Sequence, residues 1–336
     1  MRPKVYVTRR IPHPGLEIIG ECCDILLHEG ETPPSREEII RNVRDKDGLL
    51  CLLTDSITEE VMDAGPRLKV ISTFSTGFEH LDVPAATARG IYCGHTPDVL
   101  TEATADLTFA LLLGAARNIV PADRFLRSGE WSIPWSPTLF LGEMVWGRTL
   151  GLVGFGRIGR AVALRAKGFN MKVLYHDMRR LSPDEERKYG AHYRTLEALL
   201  GESDFVSLHT PLTPQTRHLM NEERFGLMKA KAFLINASRG PVVDETALVK
   251  ALKEGRIAGA ALDVFEKEPV EKDNSLLGFG NVVLLPHIAS ATTETRSKMA
   301  EMSATNLVAA LKGQRPPHLL NPEVEKIRTL SEIRMI

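Results

Sequence analysis

The chain has 336 residues, 42 Lys and Arg against 43 Asp and Glu, and a formal net charge of −1; this is length for two domains with substantial cores, without a basic stripe or tail. That balance argues against nucleic acid and membranes as partners. Cys22, Cys23, Cys51 and Cys93 form no C-x-x-C pair and no ligand spacing with histidine, so reduced thiols and no metal site are expected; with no signal-peptide core at the N-terminus and no apolar run longer than Leu107 to Ala116, a cytoplasmic chain is expected.

Strand-like and helix-like segments alternate from end to end, the pattern of a parallel α/β architecture. Strands are predicted near Lys4 to Thr8, Cys23 to His28, Gly48 to Leu53, Val70 to Phe74 and Ile91 to Cys93. Helices are predicted between them, around Gly15 to Glu21, Arg36 to Val43, Glu59 to Ala64 and Val83 to Ala88. Ser35 and Glu38 have the spacing of a capping box at the second of these. One long helix, apolar nearly all round, is expected from Thr101 to about Asn118. The stretch Ser128 to Trp146 holds Trp131, Trp135 and Trp146 with several prolines and no clean periodicity; an arm packing across a subunit interface is the preferred reading.

The run Thr149-Leu150-Gly151-Leu152-Val153-Gly154-Phe155-Gly156-Arg157-Ile158-Gly159 then has the parts of a dinucleotide-phosphate cradle in order. An apolar strand leads into a tight turn at Gly154. Gly156 offers no side chain against a close approach, and Gly159 lets the next helix, about Ile158 to Lys167, pack on the strand. That helix N-terminus favours phosphate. A second apolar strand, Met171 to Tyr175, ends in His176-Asp177, where a carboxylate can accept hydrogen bonds from ribose hydroxyls.

Further strands are predicted near Asp204 to His209, Ala232 to Ile235, Gly259 to Val264 and Val282 to Leu285, with helices around Leu196 to Leu200, Glu222 to Met228, Glu245 to Glu254 and Glu294 to Leu311. Thr195, Asn221 and Asp244 are placed as N-caps and Gly255 as a helix stop. Three short motifs follow these later strands: Asn236-Ala237-Ser238-Arg239-Gly240, Asp263 to Pro269, and Pro286-His287. Ligands bind open α/β sheets at the carboxyl ends of strands. A guanidinium, a carboxylate and an imidazole there are the set that hydride transfer to a 2-oxo acid needs.

With those motifs in order, and with Thr96 to Asp106 between them, the chain resembles the D-isomer-specific 2-hydroxyacid dehydrogenase family, above all its archaeal-type glyoxylate/hydroxypyruvate reductases. The similarity runs from about Lys4 to Val324. The resemblance implies an α/β fold of two Rossmann-like or flavodoxin-like parallel-sheet domains with a cleft between them. Residues 1–98 with 288–336 would form the substrate domain, and 99–287 the dinucleotide-binding domain. A homodimer built around Thr101 to Trp146 is implied as well.

The resemblance also implies roles. Arg239 would hold the substrate carboxylate and carbonyl oxygen, for which its planar fork is suited. His287 would protonate the carbonyl oxygen, and Glu268 would fix the tautomer of that ring and favour its protonated form. NAD would be the cofactor, with NADP possible because Arg179 and Arg180 lie near Asp177. Gly154, Phe155, Gly156, Arg157, Ile158 and Gly159 would meet the pyrophosphate, and His176, Asp177 and Met178 the adenosine ribose. Thr104, Thr210, Ala237, Ser238, Arg239, Asp263, His287, Ile288 and Ala289 would border the nicotinamide, Asp263 by bonding its carboxamide. Leu53, Thr76, Gly77 and Ser290 would join Arg239 and His287 around the substrate, the Ser75-Thr76-Gly77-Phe78 loop through its backbone N–H groups. Thr76 replaces the valine more usual there. The implied activity is reduction of glyoxylate or hydroxypyruvate to the D-2-hydroxy acid. The alternatives are a bulkier 2-oxo acid or 3-phosphoglycerate as substrate, and a dinucleotide-sensing, corepressor-like binding protein.

Overall fold

A computed structural model describes residues 2–336, which divide into two compact units, one of residues 2–100 with 291–336 and one of residues 101–290. Each is built on a parallel sheet.

The first unit contains β1 (Lys4–Val7), α1 (His13–Gly20), β2 (Asp24–Leu27), α2 (Arg36–Val43), β3 (Gly48–Cys51), α3 (Glu59–Ala64), β4 (Val70–Thr73), α4 (Val83–Ala88) and β5 (Tyr92–Gly94). Its strands are ordered β2-β1-β3-β4-β5. β3 and β4 are buried along their whole length, which is why Gly48-Leu49-Leu50-Cys51 reads as a continuous apolar run rather than an alternating one; β4 opens on apolar Val70-Ile71 and ends in the buried polar Ser72 and Thr73. One face packs on α1 and on α12 (Thr293–Leu311), which returns from the end of the chain with α13 (Leu330–Ile333). The other face is closed by α2, α3 and α4. The predicted capping box forms only in half: Ser35 Oγ accepts from the Glu38 N–H at 3.2 Å, but the Glu38 carboxylate turns away to His28 Nδ1 at 2.8 Å.

The second unit opens with α5 (Thr101–Ala116), buried on nearly every face. The apolar helix expected to run to about Asn118 ends at Ala116. Asn118 adopts a left-handed backbone (φ 53°), a conformation Asn tolerates better than most residues, and α6 (Ile119–Arg127) leaves at 66°. Among the described residues no single helix is long and apolar enough to cross a membrane.

After the irregular arm come β6 (Thr149–Val153), α7 (Arg157–Gly168), β7 (Lys172–His176), α8 (Pro183–Tyr189), β8 (Ala191–Tyr193), α9 (Leu196–Glu202) and β9 (Phe205–Leu208). They are followed by α10 (Glu222–Leu227), β10 (Phe233–Asn236), α11 (Glu245–Lys253), β11 (Gly259–Leu262) and β12 (Val282–Leu284). The sheet order is β12-β11-β10-β9-β6-β7-β8. Strand order reverses between β6 and β9, the switch point at which such sheets bind ligands. Thr195, Asn221 and Asp244 each cap their helix through the expected N–H, and Gly255 follows α11 with φ 65°. All four cysteines are free thiols, three of them buried.

Candidate active site

The glycine run forms the turn it was expected to form, at the carboxyl end of β6. Gly154 has φ 92°, and a Cβ there would fall 2.6 Å from the His209 carbonyl oxygen. At Gly159 a Cβ would fall 2.4 Å from the Gly154 carbonyl oxygen, so α7 closes on the turn only because that position has no side chain. At Gly156 the space where a Cβ would stand is open to 4 Å, and no side chain caps the helix there. Asp177, just past β7, accepts the Phe155 N–H at 2.7 Å and the Arg179 N–H at 3.2 Å. Thr210 Oγ1, beside Gly154, is shut off from solvent and has no hydrogen-bond partner among the described residues. An open glycine turn, a helix N-terminus, an orphaned hydroxyl and a carboxylate after the second strand fit a dinucleotide.

Of the other residues expected beside it, Phe155 turns its ring inward against Tyr175 and Tyr189. Arg157 and Ile158 open α7. The His176 ring bonds the Arg194 carbonyl at 3.1 Å, Met178 is fully exposed, and Thr104 is buried in α5.

The three loops after β10, β11 and β12 hang from adjacent strands. In the first, Asn236 is the organiser: its Oδ1 accepts from the Ser238 N–H (3.0 Å) and Oγ–H (2.8 Å), and its Nδ2 donates to the Arg239 carbonyl (3.0 Å). Ala237 is buried, and Arg239 donates from Nη1 to the Ser238 carbonyl at 2.8 Å. Gly240 then meets the second loop so closely that a Cβ would lie 1.7 Å from the Phe265 carbonyl oxygen. This contact presses the arginine loop onto the carboxylate loop.

In the second loop Glu268 accepts the Phe265 N–H at 3.0 Å through Oε1, and its Oε2 meets His287 Nδ1 at 2.7 Å. About a third of each of those two side chains is exposed (30% for His287, 33% for Glu268), so the pair is open to a reactant. Burial works to raise the Glu268 carboxyl; the His287 ring, the Phe265 N–H and the Arg239 charge outweigh it and hold the group below the ordinary carboxylate range. His287 itself has a left-handed backbone, φ 55°. Asp263, fully buried, holds that strained turn: its carbonyl accepts the His287 N–H at 2.9 Å, and its two carboxylate oxygens accept the Ile288 and Ala289 N–H groups, each at 2.8 Å. Burial, countered by those donors, leaves the Asp263 carboxyl above its usual range. Both of its oxygens thus carry a backbone donor, a partnership the sequence motif did not reveal. Ser290, half-buried, closes the segment.

In the first unit the remaining expected residues lie at the carboxyl ends of β3 and β4. Leu53 is exposed. Thr76 donates its hydroxyl to the Thr96 carbonyl at 2.6 Å, so the departure from valine adds no outward donor. Gly77 gives its carbonyl to Ser75 Oγ at 2.6 Å.

Sequence reasoning also passed over His218, whose Nε2 pairs with Glu266, and Glu245, which accepts the Glu266 N–H at 2.6 Å. Both fasten the carboxylate loop from residues far off in sequence, a relation no local spacing encodes.

Comparison with known proteins identifies the family. Residues 109–289 match the family described as D-isomer specific 2-hydroxyacid dehydrogenase, NAD binding domain. The chain is 57% identical to a glyoxylate reductase of Thermofilum pendens, covering 100% of this chain and 99% of that one. It is 55% identical to a glyoxylate reductase of Korarchaeum cryptofilum over 98% of both chains. Among solved structures it is similar to an NADPH-dependent glyoxylate/hydroxypyruvate reductase of Sinorhizobium meliloti in complex with NADP and malonate, with a TM-score of 0.81 and 35% identity over 96% of this chain and 98% of that one. The chain therefore belongs to the D-isomer-specific 2-hydroxyacid dehydrogenase family, as an oxidoreductase with a nicotinamide-dinucleotide-binding unit.

Proposed function

We propose that the chain reduces glyoxylate, and hydroxypyruvate beside it, to the D-2-hydroxy acid. The enzyme is NAD(P)-dependent, and its relatives favour neither a regulatory binding protein nor a larger substrate. A nicotinamide dinucleotide bound at the Gly154 turn supplies the hydride. Gly154 to Gly159 hold its pyrophosphate and Asp177 its ribose; the negative charge of Asp177 makes NADH the preferred form. Thr104, Thr210, Ala237, Ser238, Ile288 and Ala289 border its reactive end.

Arg239 grips the substrate carboxylate and polarises the carbonyl oxygen as charge builds there. Because His287 Nδ1 is committed to Glu268, the transferable proton sits on Nε2, and His287 gives it to the carbonyl oxygen as carbon is reduced. Oxidation of the hydroxy acid returns the proton to the same nitrogen. Ser290 joins the Arg239 and His287 contacts in the second unit; in the first unit, Leu53 and the Thr76 and Gly77 N–H groups are the candidate substrate contacts. The observation that carries this reading is the His287 Nδ1 to Glu268 Oε2 hydrogen bond of 2.7 Å, between two side chains both still reachable from solvent.

The test is NADH oxidation on adding glyoxylate. His287→Ala should lower kcat by about 10²–10⁴-fold, the range of general acid catalysis. An active wild type with undiminished turnover in that variant would remove His287 from its role. The exposed Trp131, Trp135, Leu141, Met144 and Trp146 of the arm, with Leu126 of α6, support packing against a second copy of the chain. Light scattering on a size-exclusion column tests that, with twice the 37.2 kDa chain mass expected. Four free thiols suit a reducing, cytoplasmic setting.

A further inference from the structure

Beneath the Ser75–Phe78 loop of the first unit runs a hydrogen-bonded chain of side chains. His80 Nε2 lies 2.9 Å from Thr73 Oγ1, Thr73 Oγ1 lies 2.7 Å from Ser75 Oγ, and Ser75 Oγ lies 2.6 Å from the Gly77 carbonyl oxygen. Thr73 and Ser75 are buried. The last acceptor fixes the direction of the chain. A carbonyl only accepts, so Ser75 donates to it; Thr73 must then donate to Ser75, and His80 from Nε2–H to Thr73. Such aligned chains strengthen link by link.

The neighbouring carbonyls are held as well. The Thr96 N–H donates to the Ser75 carbonyl at 3.0 Å, and His95 Nδ1 lies 3.1 Å from the Thr76 carbonyl oxygen. Three successive peptide oxygens, of Ser75, Thr76 and Gly77, are therefore each fixed by a donor. In a trans peptide the N–H points opposite to the C=O of the same plane. Fixing those three oxygens turns the N–H groups of Thr76, Gly77 and Phe78 the other way, and none of these has an acceptor among the described residues. Successive N–H groups of this kind make an anion-binding concavity.

Resting on the function proposed above, we propose that the His80–Thr73–Ser75 chain and His95 are positioning residues, which aim the Thr76–Phe78 N–H groups at the substrate carboxylate. Ser75 acts through the Gly77–Phe78 peptide and His95 through the Thr76–Gly77 peptide; neither touches the reacting atoms.

The deciding variants are Ser75→Ala, which removes the donor to Gly77, and Ser75→Thr, which keeps a hydroxyl. Two readouts serve: steady-state reduction of glyoxylate with NADH, and calorimetric affinity for oxalate, a dicarboxylate that cannot be reduced. Ser75→Ala should raise the KM for glyoxylate and the Kd for oxalate together, by about 5–10-fold, with kcat and the KM for NADH within about twofold of wild type; Ser75→Thr should restore both. Loss of a fold-holding contact alone would instead lower the melting temperature and disturb NADH and glyoxylate alike, and that outcome overturns the inference. An active wild type with unchanged glyoxylate KM and oxalate affinity in Ser75→Ala overturns it too, and leaves the function proposed above standing. A wild type that turns over no glyoxylate defeats that function, while the oxalate ratio between the two variants still decides the role of Ser75.

Discussion

Replacing Gly240 by alanine tests whether the arginine and carboxylate loops are set by direct contact. The added Cβ would stand 1.7 Å from the Phe265 carbonyl oxygen, 1.9 Å from its carbon and 2.6 Å from the Glu266 nitrogen. Ordinary contact between such atoms is about 3.5 Å, so the loops must part by roughly 1.5 Å or more. These are backbone atoms, and no flexible side chain can yield in their place. Glu268 lies three residues past Phe265 and is hydrogen-bonded to its N–H, so it moves with that loop relative to Arg239. A misplacement of about 1 Å costs on the order of 10²-fold in rate, and the overpacking costs about 1–3 kcal/mol of stability. Steady-state glyoxylate reduction by Gly240→Ala should show kcat/KM down by about 100-fold, with the KM for NADH within about threefold because the Gly154 turn is untouched. Thermal unfolding by circular dichroism separates this from collapse of the fold. A variant with kcat/KM within about threefold of wild type would refute the claim that this contact spaces the two charged groups.

Glu268→Gln keeps the shape but removes the charge beside His287; kcat should drop by about 10–100-fold with the KM for NADH unchanged, measured by steady-state kinetics across pH. Asp177→Asn removes the charge that a 2′-phosphate would meet, about 1 kcal/mol of repulsion near a solvated surface, so the ratio of NADPH to NADH efficiency should rise by roughly fivefold. Burial pushes His209 down to about 4, and its Nδ1 has no hydrogen-bond partner among the described residues. The folded state therefore resists a proton that the unfolded chain accepts below about pH 6.5, and stability that is full above that pH is lost as pH falls toward 4. Between pH 7 and 5 this amounts to about 1–2 kcal/mol. Urea midpoints for wild type and His209→Gln should differ in pH slope by that amount; parallel slopes would show that His209 is not held neutral by the fold.

The sequence makes the strands legible wherever burial on both faces produces a mostly apolar run, as at Phe205–Leu208 and Phe233–Asn236, each with a single polar residue. It hides elements without that signature. Helix α8 buries none of its residues and so shows no apolar stripe, although its capping box at Ser182 and Glu185 was there to be read. Strand β8 has three residues, too few for any period. Helix α6 buries none of its residues and so is passed over, although the end of the helix before it, near Asn118, is legible. In the second unit's site, Arg239, Glu268 and His287 are visible because each lies in a short motif that follows an apolar strand. Their supports are not: the Gly240 contact, the hold of Asp263 on Ile288 and Ala289, and the His218–Glu266 pair depend on which loops meet in space. Gly240 in particular looks like one more turn glycine until the Phe265 carbonyl is seen beside it.

Helix α12 has a consequence for how the protein is made. Its Ala300, Ala304, Leu307 and Leu311 share one core with Val5, Val7, Leu50, Val70 and Tyr92, and Ser72 reaches across to the Ser303 carbonyl at 2.8 Å. On the ribosome those five sheet residues emerge within the first hundred, but the helix that covers them follows only after the 190 residues of the second unit, 101–290, have been synthesised. At about 5–20 residues per second that is a wait of roughly 10–40 s. The half-built sheet spends it with that face covered by α1 alone, while the later unit is contiguous and needs no segment made after its own end. The domain begun first is thus finished last, and the nascent chain is most exposed to aggregation in that interval.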